Sequence, residues 1–304
     1  MAFFIIYNYL CGRKQYRYTN MKIKFAFTIL SAAVLMIACG GKKEQETDLK
    51  HGRTNEEMRL KGDETVYGLA CEGCNDSVIV LLPNDGSDPV RYDIIDAHRN
   101  HKVQGDIKIG DWIGVVLNKD DKKVADLVVN LDQLKGIWCY IVMPKMRDYD
   151  KLPERVQRRM ERNMPDSVKA TYMIPREYGF WLQRHWNCQS VGYIPEQTSL
   201  EDQSPVVYPK LGYFTSWHIW NGKLIVVSAT PHYGKDNTIT TTNEFNDTCD
   251  IDYLGADSLV LTDRWGTRSY YRKNDIRDVN VKAKQIAEKL KKEALQNTLK
   301  DVER

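Results

Sequence analysis

Residues 217–227 read WHIWNGKLIVV. Asn221-Gly222 sits between two runs rich in aromatic and β-branched residues. An Asn-Gly pair suits the left-handed backbone of a two-residue hairpin turn. The stretch therefore predicts two antiparallel strands, 213–220 and 223–229. Downstream, Gly255-Ala256-Asp257 separates strand candidates 249–254 and 258–263, and 268–272 follows. Upstream, KGIWCYIV at 135–142 opens the series and 177–184 continues it. Short strands joined by turns, holding six of the chain's seven tryptophans, predict an aromatic-rich antiparallel barrel over 135–273.

A second β-rich unit is expected at 64–134. Its strand candidates are Thr65–Ala70, Ser77–Leu82, Val90–Ile95, Trp112–Leu117 and Val124–Leu131. Pro83-Asn84-Asp85-Gly86 and Asn118-Lys119-Asp120-Asp121 supply turn chemistry between them. Five short strands without a helical interruption predict a small OB-like barrel. The fold class is thus mostly β, with an OB-like barrel, a second barrel and a C-terminal helix.

Two helices are legible. Pro153–Asn163 carries Leu152, Val156, Met160 and Met164 on one stripe, and Arg155, Arg158, Arg159 and Arg162 on another. The arginine stripe reads mainly as a solvated face on a helix over a barrel mouth, the alternative being contact with anionic lipid head groups or an acidic ligand. Residues 274–304 form a charged tail. Its helix, near 276–301, presents a narrow stripe of Val279, Ala283, Ile286 and Leu290.

The beginning of the chain has a different character. Residues 21–39 read MKIKFAFTILSAAVLMIAC. Lys22 and Lys24 precede an apolar run from Phe25 to Ala38, which suits a signal segment and is short for a bilayer-spanning helix. The run resembles the lipobox of bacterial lipoproteins, with Met36 standing where that family prefers leucine. The resemblance implies removal of residues 1–38 and acylation (palmitate-type) of Cys39. It implies a lipid-anchored protein of the cell envelope, on the outer membrane, whose partner is the membrane itself. Met21 also reads as an initiator, which would make residues 1–20 an over-extended start. Residues 40–63 are polar and lack periodicity, so 39–63 reads as a lipidated tether spanning on the order of 25–30 Å.

Residues 135–273 resemble a bacterial lipocalin-like domain. The motifs carrying this are Gly136-x-Trp138 on the first strand, the antiparallel meander, and the closing run 257–261 followed by Tyr270-Tyr271-Arg272. The resemblance implies that Arg272, on the last strand, packs over Trp138, and that the barrel takes a small apolar or amphipathic ligand. Trp138, Trp181, Trp217, Trp220 and Arg272 are the ligand-site candidates. The competing reading has the tryptophans filling the barrel. A short run, Gly68-Leu69-Ala70-Cys71-Glu72-Gly73-Cys74, faintly resembles the start of a copper-homeostasis and envelope-stress lipoprotein family.

Cys71 and Cys74 form a Cys-x-x-Cys pair, open to a structural staple, a soft-metal site or redox exchange. His98 and His101 extend the spacing to C-x2-C-x23-H-x2-H, although HRNH also reads as an exposed turn. Cys139, Cys188 and Cys249 complete an odd set of five after Cys39. No HExxH, G-x-S-x-G, P-loop or dinucleotide fingerprint is present, so no enzyme and no cofactor is expected. Removing the leader's five basic residues takes the net charge from +3 to −2, which disfavours nucleic acid as a partner. The expectation is a non-catalytic envelope lipoprotein with a ligand-binding barrel. The alternative is an envelope interaction or sensing protein that uses Cys71 and Cys74.

Overall fold

The computed structural model describes residues 60–195, 204–234, 236 and 238–302. The leader, Cys39 and most of the tether lie outside the described residues. The tether's last residues do not run free. Asp63 is buried and accepts hydrogen bonds from the Asn221 N–H (2.9 Å) and the Tyr67 hydroxyl (2.6 Å).

The first sheet contains β1 (Val66–Ala70), β2 (Val78–Pro83), β3 (Val90–Asp93), β4 (Val103–Gln104), β5 (Trp112–Leu117) and β6 (Ala125–Asn130). Its order is β3-β2-β1-β5-β6-β4. All pairings are antiparallel except β4 with β6. A parallel bridge from Asp93 to Val124 brings the two flanks of this sheet together. This is the strand order of a partly open OB-type barrel. Two features escape the sequence reading. A five-residue helix, α1 (Ile95–Arg99), follows β3, and the short β4 adds an edge. The core between them holds Ile79, Leu81, Ile94, Ile113, Val115 and Val128.

The second sheet has eight strands. They are β7 (Gly136–Val142), β9 (Arg176–Leu182), β10 (Cys188–Val191), β12 (Tyr213–Trp220), β13 (Lys223–Tyr233), β14 (Ile239–Leu254), β15 (Ser258–Asp263) and β16 (Gly266–Lys273). The order is β10-β9-β7-β16-β15-β14-β13-β12. The two ends of the sheet, β10 and β12, meet through one bridge (Asn187 to Ser216) and a bond from the Phe214 N–H to the Ser190 hydroxyl (2.6 Å). The result is a nearly closed antiparallel barrel. The hairpin at Asn221-Gly222 has positive φ at both residues, as its composition predicts. A two-stranded hairpin of β8 (Lys145–Met146) and β11 (Val206–Val207) sits beside the barrel.

Strands alternate side chains inward and outward. The inward face carries Trp138, Phe180, Leu182, Trp217, Leu224, Cys249, Leu259 and Leu261, all buried. The same core continues into the first sheet through Val129, Leu131, Leu134 and Trp112. Trp186 is the joint: its ring lies 5.1 Å from Trp112 and 4.8 Å from Trp217. A short helix, α2 (Leu131–Leu134), links the sheets.

Two helices follow β8. α3 (Glu154–Asn163) buries none of its residues, and Val156, expected on its apolar stripe, is exposed. Glu154 pairs with Arg158 on its surface. α4 (Asp166–Tyr172) has no counterpart in the sequence reading and packs against the C-terminal helix α5 (Val281–Val302). No helix among the described residues is long and apolar enough to cross a membrane.

The chain running into α5 is clasped to the outside of the barrel by the fully buried Glu177. Its carboxylate pairs with Lys273 (2.9 Å) and accepts the Tyr271 hydroxyl (2.6 Å) and the Asn280 N–H. The Glu177 N–H in turn donates to the Asn280 side chain (2.9 Å). Buried carboxylates survive only when paired and hydrogen-bonded in this way.

Candidate functional site

The two ends of the second barrel differ in chemistry. At the floor, the Trp138 indole is wholly buried and donates to the Leu134 carbonyl (2.7 Å). The Arg272 guanidinium lies over its ring, 4.2 Å from the centroid. That guanidinium donates to the carbonyls of Ala256 (2.6 Å), Lys135 (2.8 Å) and Gln133. Gly136 has φ +138°, and a Cβ there would run into Arg272. Glycine two residues before the tryptophan thus makes room for the arginine.

Above the floor stands a ladder of rings. Tyr140 meets Tyr178 edge-on at 5.8 Å and Tyr270 at 5.2 Å. Phe180 lies 5.1 Å from Tyr270 and 5.7 Å from Phe214. Arg268 reaches over the Tyr140 ring (4.8 Å) and donates to the Tyr270 hydroxyl (3.2 Å). Burial raises the pKa of all three tyrosines. Burial also raises that of Asp247, with Arg264 opposing it.

The mouth is open. Val142 and Arg176, paired across β7 and β9, face a cavity of about 550 Å3. Its walls include Tyr193, Ile194, Val206, Tyr208 and Leu211, with Arg147 and Lys210 among the polar groups. A second cavity, of about 540 Å3, adjoins it and reaches Ser228, Tyr233 and Phe245 on the long β13–β14 hairpin. Tyr193, Pro195, Lys210 and Leu211 line both. Volumes of this size match small-molecule sites, and the first cavity is mainly apolar with a few polar groups.

The residues singled out from sequence do not gather at this mouth. Trp138 and Arg272 occupy the floor. Trp217 is wholly buried and donates to the Gln183 carbonyl (2.9 Å). Trp181 faces outward and packs with Ile137, Cys139 and Val279 beneath the C-terminal segment. The Trp220 indole nitrogen lies 3.4 Å from the Lys61 carbonyl, beside the first sheet. None of the five appears among the described residues of either cavity wall.

Cys71 and Cys74 lie in the turn between β1 and β2, partly exposed, as free thiols. The Cys74 sulfur accepts the Val80 N–H (3.3 Å). Among the described residues no group of three or more His, Cys, Asp or Glu comes together to hold a metal ion. His98 lies 3.6 Å from Asp76, and both His98 and His101 are exposed. Cys139, Cys188 and Cys249 are buried and free, and burial pushes all three thiols up in pKa.

Among solved structures the chain is similar to a lipocalin-like protein from Bacteroides thetaiotaomicron VPI-5482. Identity is 21%, the TM-score is 0.23, and the match covers 46% of this chain and 95% of that one. No family model matches the chain. No curated protein matches it either.

Proposed function

We propose that the protein is a non-catalytic binder of a small apolar or amphipathic molecule, taken up at the mouth of its second barrel. The observation that carries this reading is the pair of adjoining cavities above the ring ladder. They supply apolar wall where the floor is filled with tryptophan. Burial of ligand there gains about 25 cal/mol per Å2 of apolar surface.

The test is titration with the neutral fluorescent apolar probe N-phenyl-1-naphthylamine. Wild-type protein should bind it in the micromolar range. Leu211→Trp, which places bulk in both cavities, should weaken binding about tenfold or more with little change in melting temperature. No probe binding, or binding indifferent to Leu211→Trp, overturns the reading.

The proposal includes an address. A lipid on Cys39 would hold the barrels at the envelope membrane, with the tether between them. Metabolic labelling in a bacterial host with an alkyne fatty acid should mark the full-length protein, and Cys39→Ser should abolish the label. Label that persists in Cys39→Ser excludes this anchor.

A further inference from the structure

The cavity at the barrel mouth carries a charge signature that narrows the ligand class. We propose that it selects an amphiphile with an anionic head, a carboxylate or a phosphate monoester on an apolar chain, and that Arg176 is the principal anchor of that head. This deepens the binding role proposed above and rests on it.

Three cations line the cavity, Arg147, Arg176 and Lys210, and no carboxylate is among its described wall residues. Arg176 is the informative one. Its guanidinium stacks on the Tyr208 ring, 3.7 Å from the centroid. The Tyr208 hydroxyl donates to the Ile174 carbonyl (2.6 Å), which fixes the ring and so the plane of the guanidinium. Stacking uses the face of the guanidinium and leaves its N–H donors in the plane, where a planar or tetrahedral oxyanion meets them two at a time. Arg176 makes no ion pair with any described residue.

The other arginines of the barrel interior are already engaged. Arg272 donates to three carbonyls, and Arg268 serves Tyr270 and lies 4.0 Å from Asp263. Arg176 alone joins a fixed orientation to donors unspent on described residues, beside an apolar wall of Val142, Val206 and Leu211. A half-buried cation at the edge of an apolar cavity strengthens a charge-assisted bond relative to open water.

The experiment compares three ligands with the same chain, dodecanoate, dodecyl phosphate and 1-dodecanol, by calorimetry below their aggregation limits. At least one anion should bind about tenfold or more tightly than the alcohol. The margin should collapse in Arg176→Gln and return only in part in Arg176→Lys, which keeps the charge but not the planar pair of donors, with alcohol binding unchanged in both. The anion that wins identifies the head. Equal affinity for alcohol and anions, or a margin that survives Arg176→Gln, overturns the inference and leaves the binding cavity standing. Failure of all three to bind removes the cavity reading and this inference together. If Arg176→Gln does not fold, the wild-type comparison still decides the preference for an anionic head, and Arg176→Met, which keeps the aliphatic stem, decides the anchor.

Discussion

Raising the pH from 8 to about 11 is expected to unfold the protein in one cooperative step, through three thiols that ionise only once exposed. Cys139, Cys188 and Cys249 lie on β7, β10 and β14 and are all buried. Burial pushes Cys139 up to about 12, helped by the negative charge of Glu177. It pushes Cys249 up to about 12, with Asp263 and Asp247 adding to the effect. Cys188 is raised by burial further still. An unfolded thiol titrates near 8.5. The folded state therefore binds protons that the unfolded state has already released. The stabilisation is complete below about pH 8.5 and is lost as pH climbs toward 12. By pH 10.5 the three thiols together cost on the order of several kcal/mol, a large part of the stability of an ordinary domain. Tyr178 and Tyr270, raised by burial as well, add the same sign of slope above about pH 10. Thiolate absorbance and circular dichroism, followed together, check this. Three buried thiolates should appear in step with loss of β signal. Their appearance below pH 9.5 with the β signal intact would mean that these sulfurs reach water in the native state.

Much of this architecture was legible because its signals are local. The hairpin at Asn221-Gly222 and the strand pair 258–263 with 266–273 follow from turn residues and β-branched or aromatic runs that need no distant partner. The elements that escaped depend on context. β10 is four residues, CQSV, after two left-handed residues, His185 and Trp186. Its identity as a strand comes from pairing with β9. The first half of β14, ITTTNEF, is polar and exposed, without inward alternation. It is a strand because β13 lies beside it through Tyr233. α1 spans five residues and lacks a side-chain cap at its start. The candidate site was least legible. Its wall comes from strand ends such as Val142 and Arg176 and from loop residues such as Ile194 and Leu211, brought together only by barrel closure. Tryptophan density pointed to the barrel interior without telling packed floor from open mouth. An arginine stacked on a tyrosine 32 positions later leaves no trace in sequence spacing.

Arg272→Leu is expected to destabilise the protein by about 3–4 kcal/mol while leaving the mouth cavities intact. The guanidinium ties the β14–β15 turn to the segment that leads into β7. Its Nε serves Ala256, in the β14–β15 turn, and its two terminal nitrogens serve Lys135 and Gln133, just before β7. Leucine fills much of the aliphatic volume but offers no donor. Three carbonyls then lose charge-assisted bonds, each worth about 1.5–3 kcal/mol, and the stacking over Trp138 adds roughly 1 kcal/mol. The sum is discounted because the group is half-buried and water can reach part of the vacated site. Arg272→Lys should recover only a fraction, since an ammonium is a point charge and cannot span three carbonyls in a fixed plane. Gly136→Ala should act in the same direction, because its Cβ displaces the same guanidinium from a backbone already at φ +138°. Urea unfolding followed by tryptophan fluorescence measures all three. A loss under 1 kcal/mol for Arg272→Leu would mean that these carbonyls are hydrated in the native protein and that Trp138, held by Leu134, secures the floor alone.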